Sequence, residues 1–175
     1  MKTTITLLAA GLVLAGCAGL GGEAGPRAVA RLAPTKGSGT EGTIFFEQKG
    51  GIVLVTGTLS GLKPNAEHGF HVHEKGDCSS GDGMSAGGHF NPNARPHGGS
   101  DPHADRHAGD MPNLKADAYG NANASFQVIG ITIGSGATDI IGRGLVVHRD
   151  PDDYKSQPAG NAGPRIACAV IATSR

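Results

Sequence analysis

The chain has 175 residues, enough for one domain that buries roughly two thirds of the surface of its unfolded chain. Its 15 basic and 15 acidic residues balance, and it has five phenylalanines, two tyrosines and no tryptophan. A nucleic-acid-binding surface needs clustered positive charge and usually stacking aromatics, so we expect no nucleic-acid partner. Thirty glycines and ten prolines indicate many turns and a β-type fold.

The N-terminal residues have the pattern of an export signal. Lys2 supplies positive charge, and residues 5–15 form an apolar core too short to span a bilayer as a mature helix. The segment Leu14-Ala15-Gly16-Cys17 resembles a bacterial lipobox, which implies removal of a lipoprotein signal peptide, residues 1–16, and attachment of lipid to Cys17. The alternative is an ordinary secretory signal followed by an incidental cysteine.

A lipidated Cys17 would place the protein outside the cytoplasm, anchored to a bacterial membrane in the periplasm or at the cell surface. Ala18 follows it, and not the aspartate that retains lipoproteins at the inner membrane, which favours the outer membrane in a cell with two membranes. Residues 17–27 are rich in glycine and alanine and predict a flexible tether. The folded domain is therefore expected at residues 28–175.

From Ala28 onward, short runs typical of strands alternate with glycine, proline and asparagine. The predicted strands are residues 28–33, 42–48, 52–59, 67–73, 115–118, 124–128, 144–148 and 165–172. Gly50-Gly51 and Tyr119-Gly120-Asn121 predict tight turns. Eight such strands without helical periodicity indicate an all-β fold, an antiparallel barrel or sandwich.

Two predicted connections are long, one from residue 74 to 114 and the other from 149 to 164. Connections longer than about 15 residues without secondary structure of their own are usually functional or disordered. The first is rich in histidine and poor in apolar residues, so it cannot bury itself. We therefore expect a functional loop that bound metal could hold in place.

Residues 69–92, GFHVHEKGDCSSGDGMSAGGHFNP, carry the strongest chemical signal. His71 and His73 alternate with Phe70 and Val72, so both imidazoles leave the same face of a strand. Two histidines on one face form half of a metal site. Further candidate ligands follow at His89, His97, His107, Asp110 and His148. Six of the eight histidines thus fit a pattern that two adjacent metals could share, whereas His68 and His103 are expected to be structural or solvated.

The chain has three cysteines. With Cys17 assigned to lipid, Cys78 and Cys168 form an even pair in an exported protein and predict a disulfide. Closing so long a loop would stabilise the fold by about 4.5 kcal/mol in the chain-entropy model. A cysteine thiolate as a metal ligand is the alternative, disfavoured because the histidines already fill the coordination.

Six segments, in this order, resemble the copper–zinc superoxide dismutase family: GFHVHEKGDC, SAGGHFNP, HGG, RHAGD, GRGLVVH and GNAGPRIACAVI. The resemblance covers about residues 28–172. It implies an eight-stranded antiparallel Greek-key barrel with two long functional loops, copper and zinc as cofactors, and superoxide as substrate. The short spacing from His73 to Cys78 is similar to the bacterial branch, and a homodimer stays open beside a monomer.

The resemblance also implies a role for individual residues. The copper ligands would be His71, His73, His148 and the bridging His89, which also contacts zinc. The other zinc ligands would be His97, His107 and Asp110. Asp152 would link His71 to His97, Cys78 and Cys168 would form the intrasubunit disulfide, and Arg165 would receive the anion beside copper.

The donor types agree with this assignment. Four imidazoles suit copper, and three imidazoles with one carboxylate suit a closed tetrahedral zinc site. The implied reaction cycles Cu(II) and Cu(I), and His89 takes up a proton in one half-reaction and donates it in the other. The sequence departs from the family in a short second loop and in Ala159, where threonine often lines the channel, which leaves any steering role of Lys155 open.

Two other function classes remain. The same barrel could serve as a copper or zinc store or chaperone without turnover, but the chain keeps all seven ligands and Arg165, which favours the enzyme. An adhesion-type structural sandwich is disfavoured, because a buried polar cluster is costly without metal.

Overall fold

The computed structural model describes residues 25–99, 101 and 105–174. Within them are ten strands and one short 3-10 turn, Met84–Ala86. The longer strands are β1 (Arg27–Pro34), β2 (Glu41–Lys49), β3 (Ile52–Ser60), β7 (Ala122–Val128), β8 (Gly144–His148) and β9 (Arg165–Val170). The shorter strands are β4 (Glu67–His68), β5 (Phe70–His73), β6 (Leu114–Lys115) and β10 (Ala172–Thr173). The predicted signal peptide, Cys17 and most of the tether lie outside these residues, and no helix within them is long and apolar enough to cross a membrane.

The main sheet is antiparallel, with the strand order β5–β8–β9–β1–β2–β3–β7 and β10 paired to β1. A second sheet, β4–β6, joins its two edges, because β4 continues through Gly69 into β5 and β6 leads through a turn into β7. Strands β1 to β3 form a meander, and the chain then crosses to the opposite edge and back, as in a Greek key. This curled sheet confirms the predicted all-β antiparallel barrel.

Each predicted strand has an observed counterpart; most bounds agree within two residues, and three runs are divided or displaced. The run 67–73 is divided at Gly69, whose N–H donates to the carbonyl of Asp150 and so leaves the ladder. The run 115–118 overlaps β6 at Lys115 only, because the N–H groups of Ala116 and Asp117 bond to the carbonyls of Ala66 and Asn121 in loops. The run 165–172 divides at the buried Ile171.

The two predicted turns are present. Gly50 and Gly51 connect Lys49 directly to its partner Ile52, and Gly50 adopts a left-handed φ of 59° that glycine accepts at little cost. In the second turn the N–H of Gly120 donates to the carbonyl of Asp117. The first turn fixes the register of β2 with β3, and the second leads the chain from the small sheet into the main one.

Strands β5 and β8 are buried along their whole length. One face of β5 packs into the apolar core through Phe70 and Val72, which are fully buried. The other face carries His71 and His73 and is covered by the two long connections, residues 74–113 and 149–164. The fold therefore encloses two polar residues of one strand beneath loops, which is where a functional site is expected.

Candidate metal centre

The predicted alternation along β5 is confirmed, since His71 and His73 share the face opposite the core and both have no solvent exposure. Strand β8 pairs with β5 so that His71 lies opposite Val146. At the end of β8 the register shifts between Val147 and His148, a bulge that places His148 opposite Arg165 on β9. Sheet register thus brings the three strand histidines together.

The long connection 74–113 is attached to β5 by backbone hydrogen bonds. The N–H of Phe90 donates to the carbonyl of Val72 at 2.8 Å, and His89 forms a β-bridge with His73. The N–H of Val72 donates to the carbonyl of Gly109 at 2.9 Å, beside the bridge between Asp110 and His71. The loop residues are therefore placed by strand-like pairing with the sheet.

The first cluster, called the strand group below, contains four buried imidazoles whose donor atoms lie within 4.8 Å of one another: His71, His73, His89 and His148. Nδ1 of His73 donates to the carbonyl of Gly87, and Nδ1 of His148 donates to the carbonyl of Gly163, both at 3.0 Å. Their Nε2 atoms face each other at 3.4 Å. Because the outer nitrogens are protonated in these bonds, the inner nitrogens carry the lone pairs that a metal requires.

The second cluster, called the loop group below, meets the same 4.8 Å limit and consists of His89, His97, His107 and Asp110. Nδ1 atoms of His89, His97 and His107 lie 2.8, 3.1 and 3.2 Å from Oδ1 of Asp110. Oδ2 of Asp110 accepts from the N–H groups of Gly98 and His107, at 3.1 and 3.0 Å. The carboxylate is thus oriented with one oxygen toward the three rings.

His89 belongs to both clusters, since its Nδ1 faces the loop group while its Nε2 is left for the strand group. Nε2 of His89 and Nδ1 of His71 are buried and have no hydrogen-bond partner among the described residues. Buried polar atoms without a partner are costly unless something else satisfies them. A cation in the strand group would satisfy both atoms, and the three imidazoles and one carboxylate of the loop group suit a second cation, so these residues fit a pair of metals that share His89.

Asp152, the residue expected to link His71 to His97, contacts both rings from outside the clusters. Its Oδ2 accepts from Nε2 of His71 at 2.8 Å, and its Oδ1 accepts from Nε2 of His97 at 2.9 Å. Gly160 covers this carboxylate, because a Cβ there would overlap Oδ1 of Asp152 and come within 2.7 Å of Nε2 of His97. Gly160 also has a φ of 62°, so two independent constraints require glycine.

Burial keeps the strand group uncharged. It lowers the pKa of His71 despite the hydrogen bond to Asp152, and it lowers the pKa of His73 well below the ordinary value. The pKa of His148 falls to about 3 and that of His89 to about 4, in both cases chiefly through burial. Neutral imidazoles are the form that binds metal.

The loop group has the opposite character. Burial alone would lower the pKa of His97, but the hydrogen bonds to Asp110 and Asp152 outweigh it and raise the pKa to about 9. The pKa values of both carboxyls are held well below their usual range by hydrogen bonds from the histidines, against the effect of burial. Without metal, Asp110 and Asp152 are therefore carboxylates and His97 carries an extra proton. The net charge of these three groups is negative, and a divalent cation would balance it.

Arg165 lies beside the strand group. Its guanidinium donates to the carbonyls of Gly83 and Gly87, at 2.6 and 2.5 Å, and the Gly87 carbonyl also accepts from His73. Burial lowers the pKa of Arg165, and its charge helps to lower the pKa of His148. The structure thus brings Arg165 to the copper side of the predicted centre.

Cys78 and Cys168 form a disulfide, which confirms the pairing and removes the alternative of a thiolate ligand. His68 is buried, and its Nδ1 donates to the carbonyl of His148 at 2.9 Å, the structural role expected of it. His103 lies outside the described residues. Residue types and spacing did not indicate that Arg106 and Gly160 contact the centre, although Gly160 lies in the GNAG motif. They also did not indicate that the carbonyls of Gly87 and Gly163 accept from His73 and His148.

A family model described as copper/zinc superoxide dismutase matches residues 40–171. Over 149 residues the chain is 44% identical to Cu-Zn superoxide dismutase 2 of Aquifex aeolicus (strain VF5), covering 83% of this chain and 86% of that protein. Over 140 residues it is 47% identical to Cu-Zn superoxide dismutase 2 of Brassica juncea, covering 76% and 90%. The crystal structure of the clock protein EA4 is similar, with a TM-score of 0.77 and 41% identity over 85% of this chain and 94% of that one. With this fold and this pair of clusters, the chain belongs to the copper/zinc superoxide dismutase family.

Proposed function

We propose that this protein converts superoxide to oxygen and hydrogen peroxide, with copper in the strand group and zinc in the loop group. The observation that carries the proposal is His89, whose two ring nitrogens serve two adjacent clusters. Four imidazoles suit copper in both oxidation states, and three imidazoles with one carboxylate suit zinc in a closed, structural site. The copper ligands are then His71, His73, His89 and His148, and the zinc ligands are His89, His97, His107 and Asp110.

Bound copper would supply the redox chemistry, cycling between Cu(II) and Cu(I) as one superoxide is oxidised to oxygen and the next is reduced to hydrogen peroxide. The residues of the chain manage protons and charge. Nε2 of His89 would hold a proton between the two half-reactions and pass it to the product. Asp110, 2.8 Å from Nδ1 of the same ring, keeps the imidazole oriented from the other side.

Arg165 is the residue that we assign to the incoming anion. Its side chain is half-buried and held by two backbone carbonyls, so its charge is fixed in position beside the strand group. These two bonds use part of the five N–H donors of a guanidinium and leave others for superoxide. A fixed cation at this place would both attract the anion and orient it.

The test is elemental analysis of the purified protein together with a superoxide dismutation assay. We expect one copper and one zinc per chain and activity that depends on copper. Arg165→Ala should lower turnover and leave metal content unchanged, whereas the control Arg149→Ala removes an exposed guanidinium that pairs with Asp150 and should change neither. Full metal content without activity would contradict the enzyme and favour a metal store.

For location, we infer that the protein is a lipoprotein anchored through Cys17 outside the cytoplasm. The lipobox-like segment supports this, and the disulfide between Cys78 and Cys168 suits an oxidising compartment. Mass spectrometry of the mature N-terminus should find a lipidated Cys17, and Cys17→Ser should move the protein from the membrane to the soluble fraction. A mature chain beginning at another residue would contradict the anchor.

Sedimentation of the same soluble variant distinguishes a monomer from a homodimer.

A further inference from the structure

Arg106 precedes the loop-group residue His107 along the chain, and its guanidinium bonds to backbone carbonyls of the described residues. Its Nη1 donates to the backbone carbonyls of His107 and Asp110, at 3.0 and 2.9 Å, and its Nη2 donates to the carbonyl of Ile129 at 2.7 Å. One guanidinium thus holds three carbonyls. Two of them belong to residues whose side chains form the loop group.

These two residues are the ends of a tight turn. The N–H of Asp110 donates to the carbonyl of His107 at 3.3 Å, while the N–H of His107 donates inward to Oδ2 of Asp110 at 3.0 Å. Arg106 completes the turn by bonding the carbonyls at both of its ends from outside. The guanidinium therefore adds two outer bonds to the two that already join His107 and Asp110.

The third bond reaches a different part of the fold. Ile129 directly follows β7 and begins the connection to β8, residues 129–143. The bridge between Asp110 and His71 attaches one side of the turn to β5, and through Ile129 Arg106 attaches the turn to the end of β7 as well. The planar fork of an arginine suits such multiple carbonyl acceptors, which a lysine cannot reach together.

Arg106 also lines an opening on this side of the centre. A cleft of about 180 Å³ is bordered by Asn93, Arg95, Asp105, Arg106, His107 and Ile129. The His107 side chain is 8% exposed, whereas that of His97 is fully enclosed. The loop group thus has an approach from solvent that is separate from the side where Arg165 lies, and Arg106 stands at it.

We propose that Arg106 is a positioning residue that determines how tightly, and for how long, the loop group retains its metal. The proposal rests on the assignment of zinc to that group. Arg106 holds His107 and Asp110 at the separation that the ion requires and keeps their turn closed at the cleft. Groups that orient ligands from outside typically change metal affinity by about 10- to 100-fold when they are removed.

The test uses the mature protein loaded with copper and zinc. Arg106→Met keeps the length of the side chain without its donors, and Arg106→Lys keeps the charge without the fork. Arg143→Met is the matched control, because Arg143 also holds a carbonyl of the long connection, that of Glu74, which lies outside the turn from His107 to Asp110. Zinc release to a colorimetric chelator is followed in all four proteins, together with the visible spectrum of Co(II) placed in the loop group.

We expect Arg106→Met to release zinc about 10- to 100-fold faster than the parent protein and to alter the Co(II) bands, while the copper spectrum stays unchanged. Arg106→Lys should lie between the two. Unchanged zinc release and Co(II) spectra in both Arg106 variants would overturn the proposal. Equally fast zinc release from Arg143→Met would overturn it too, because any lost contact of the long connection would then have the same effect. Arg106→Lys keeps the test decisive where Arg106→Met does not fold. A parent protein that binds no zinc would instead contradict the proposed function.

Discussion

The two halves of the centre are built in different ways. Three of the four strand-group histidines, His71, His73 and His148, belong to paired strands, whereas the whole loop group comes from the connection 74–113. In the strand group, the pairing of β5 with β8 determines the separation of the side chains. In the loop group, His89 and Asp110 are bridged to β5, but His97 and His107 depend on hydrogen bonds that hold a long irregular segment. The copper side is therefore organised by paired strands, and the zinc side depends more on local contacts and on its ion.

The two groups also differ in the hydrogen-bond acceptors on the outer side of their imidazole rings, which are neutral for His73 and His148 of the strand group and charged for His97 of the loop group. His73 and His148 each donate to a neutral backbone carbonyl, and burial keeps them uncharged. His97 faces two carboxylates, Asp110 and Asp152, which raise its pKa to about 9. Without metal, the strand group can remain neutral and closed, while the loop group holds charges that are best balanced by a cation.

The largest effect is expected from removing the disulfide, which ties the connection 74–113 to β9. The double variant Cys78→Ser, Cys168→Ser should lower the free energy of unfolding by about 4.5 kcal/mol, the chain-entropy value for a loop of this length. Denaturant unfolding of the metal-free protein measures the loss. Because the disulfide holds the loop and not β5, zinc content should fall before copper content. Equal loss of both metals would contradict the division into strand-held and loop-held ligands.

Asp152→Asn tests the same division at a carboxylate that contacts one histidine of each group from outside. An amide presents one acceptor and one NH₂ donor, so it cannot accept from His71 and His97 together. His71 remains held by β5, whereas His97 has no strand to hold it, so zinc affinity should fall by about 10- to 100-fold and copper affinity by less. Competition with chelators measures both affinities. Asp150→Asn, which alters a carboxylate paired with the exposed Arg149, is the control and should change neither.

The part of the centre that could be predicted consists of side chains with a characteristic type and spacing. His71 and His73 are separated by one strand residue, and the remaining ligands, Asp152 and the cysteine pair lie in short segments typical of the family. Strand patterns and glycine turns likewise indicated the barrel, because alternation and turn chemistry are local.

What could not be predicted depends on where the backbone of the loops runs. The acceptors of His73 and His148 are the carbonyls of Gly87 and Gly163, and every residue type offers the same carbonyl. In the sequence, Arg106 cannot be distinguished from a solvated surface arginine, and only the structure shows its three carbonyl partners. The predicted strand ends at residues 128 and 144 do give the connection 129–143, but nothing in the sequence indicated that the carbonyl of Ile129 would accept from Arg106.

The smallest effect, and the most direct measure of the electrostatic difference, is the release of protons on metal binding. At pH 7.5 the pKa of about 9 keeps His97 protonated in the metal-free protein, so zinc must displace about one proton. The non-bridging copper ligands have lowered pKa values, are already neutral at that pH and should release none. Calorimetric titrations in buffers of different ionisation enthalpy count these protons.

The same pKa values set opposite signs for stability. A raised pKa, as in His97, stabilises the metal-free fold fully below the unfolded value of 6.5, and this contribution is lost as pH rises through about 9. The lowered pKa values of about 4 for His89 and about 3 for His148 act in the reverse direction, so the fold loses stability as pH falls from 6.5 toward them. In His97→Gln, zinc binding at pH 7.5 should release about one proton fewer. The metal-free variant should no longer lose stability as the pH rises through about 9, but it should still lose stability in acid. An unchanged proton count in that variant would assign the charge to another residue and remove the contrast between the two groups.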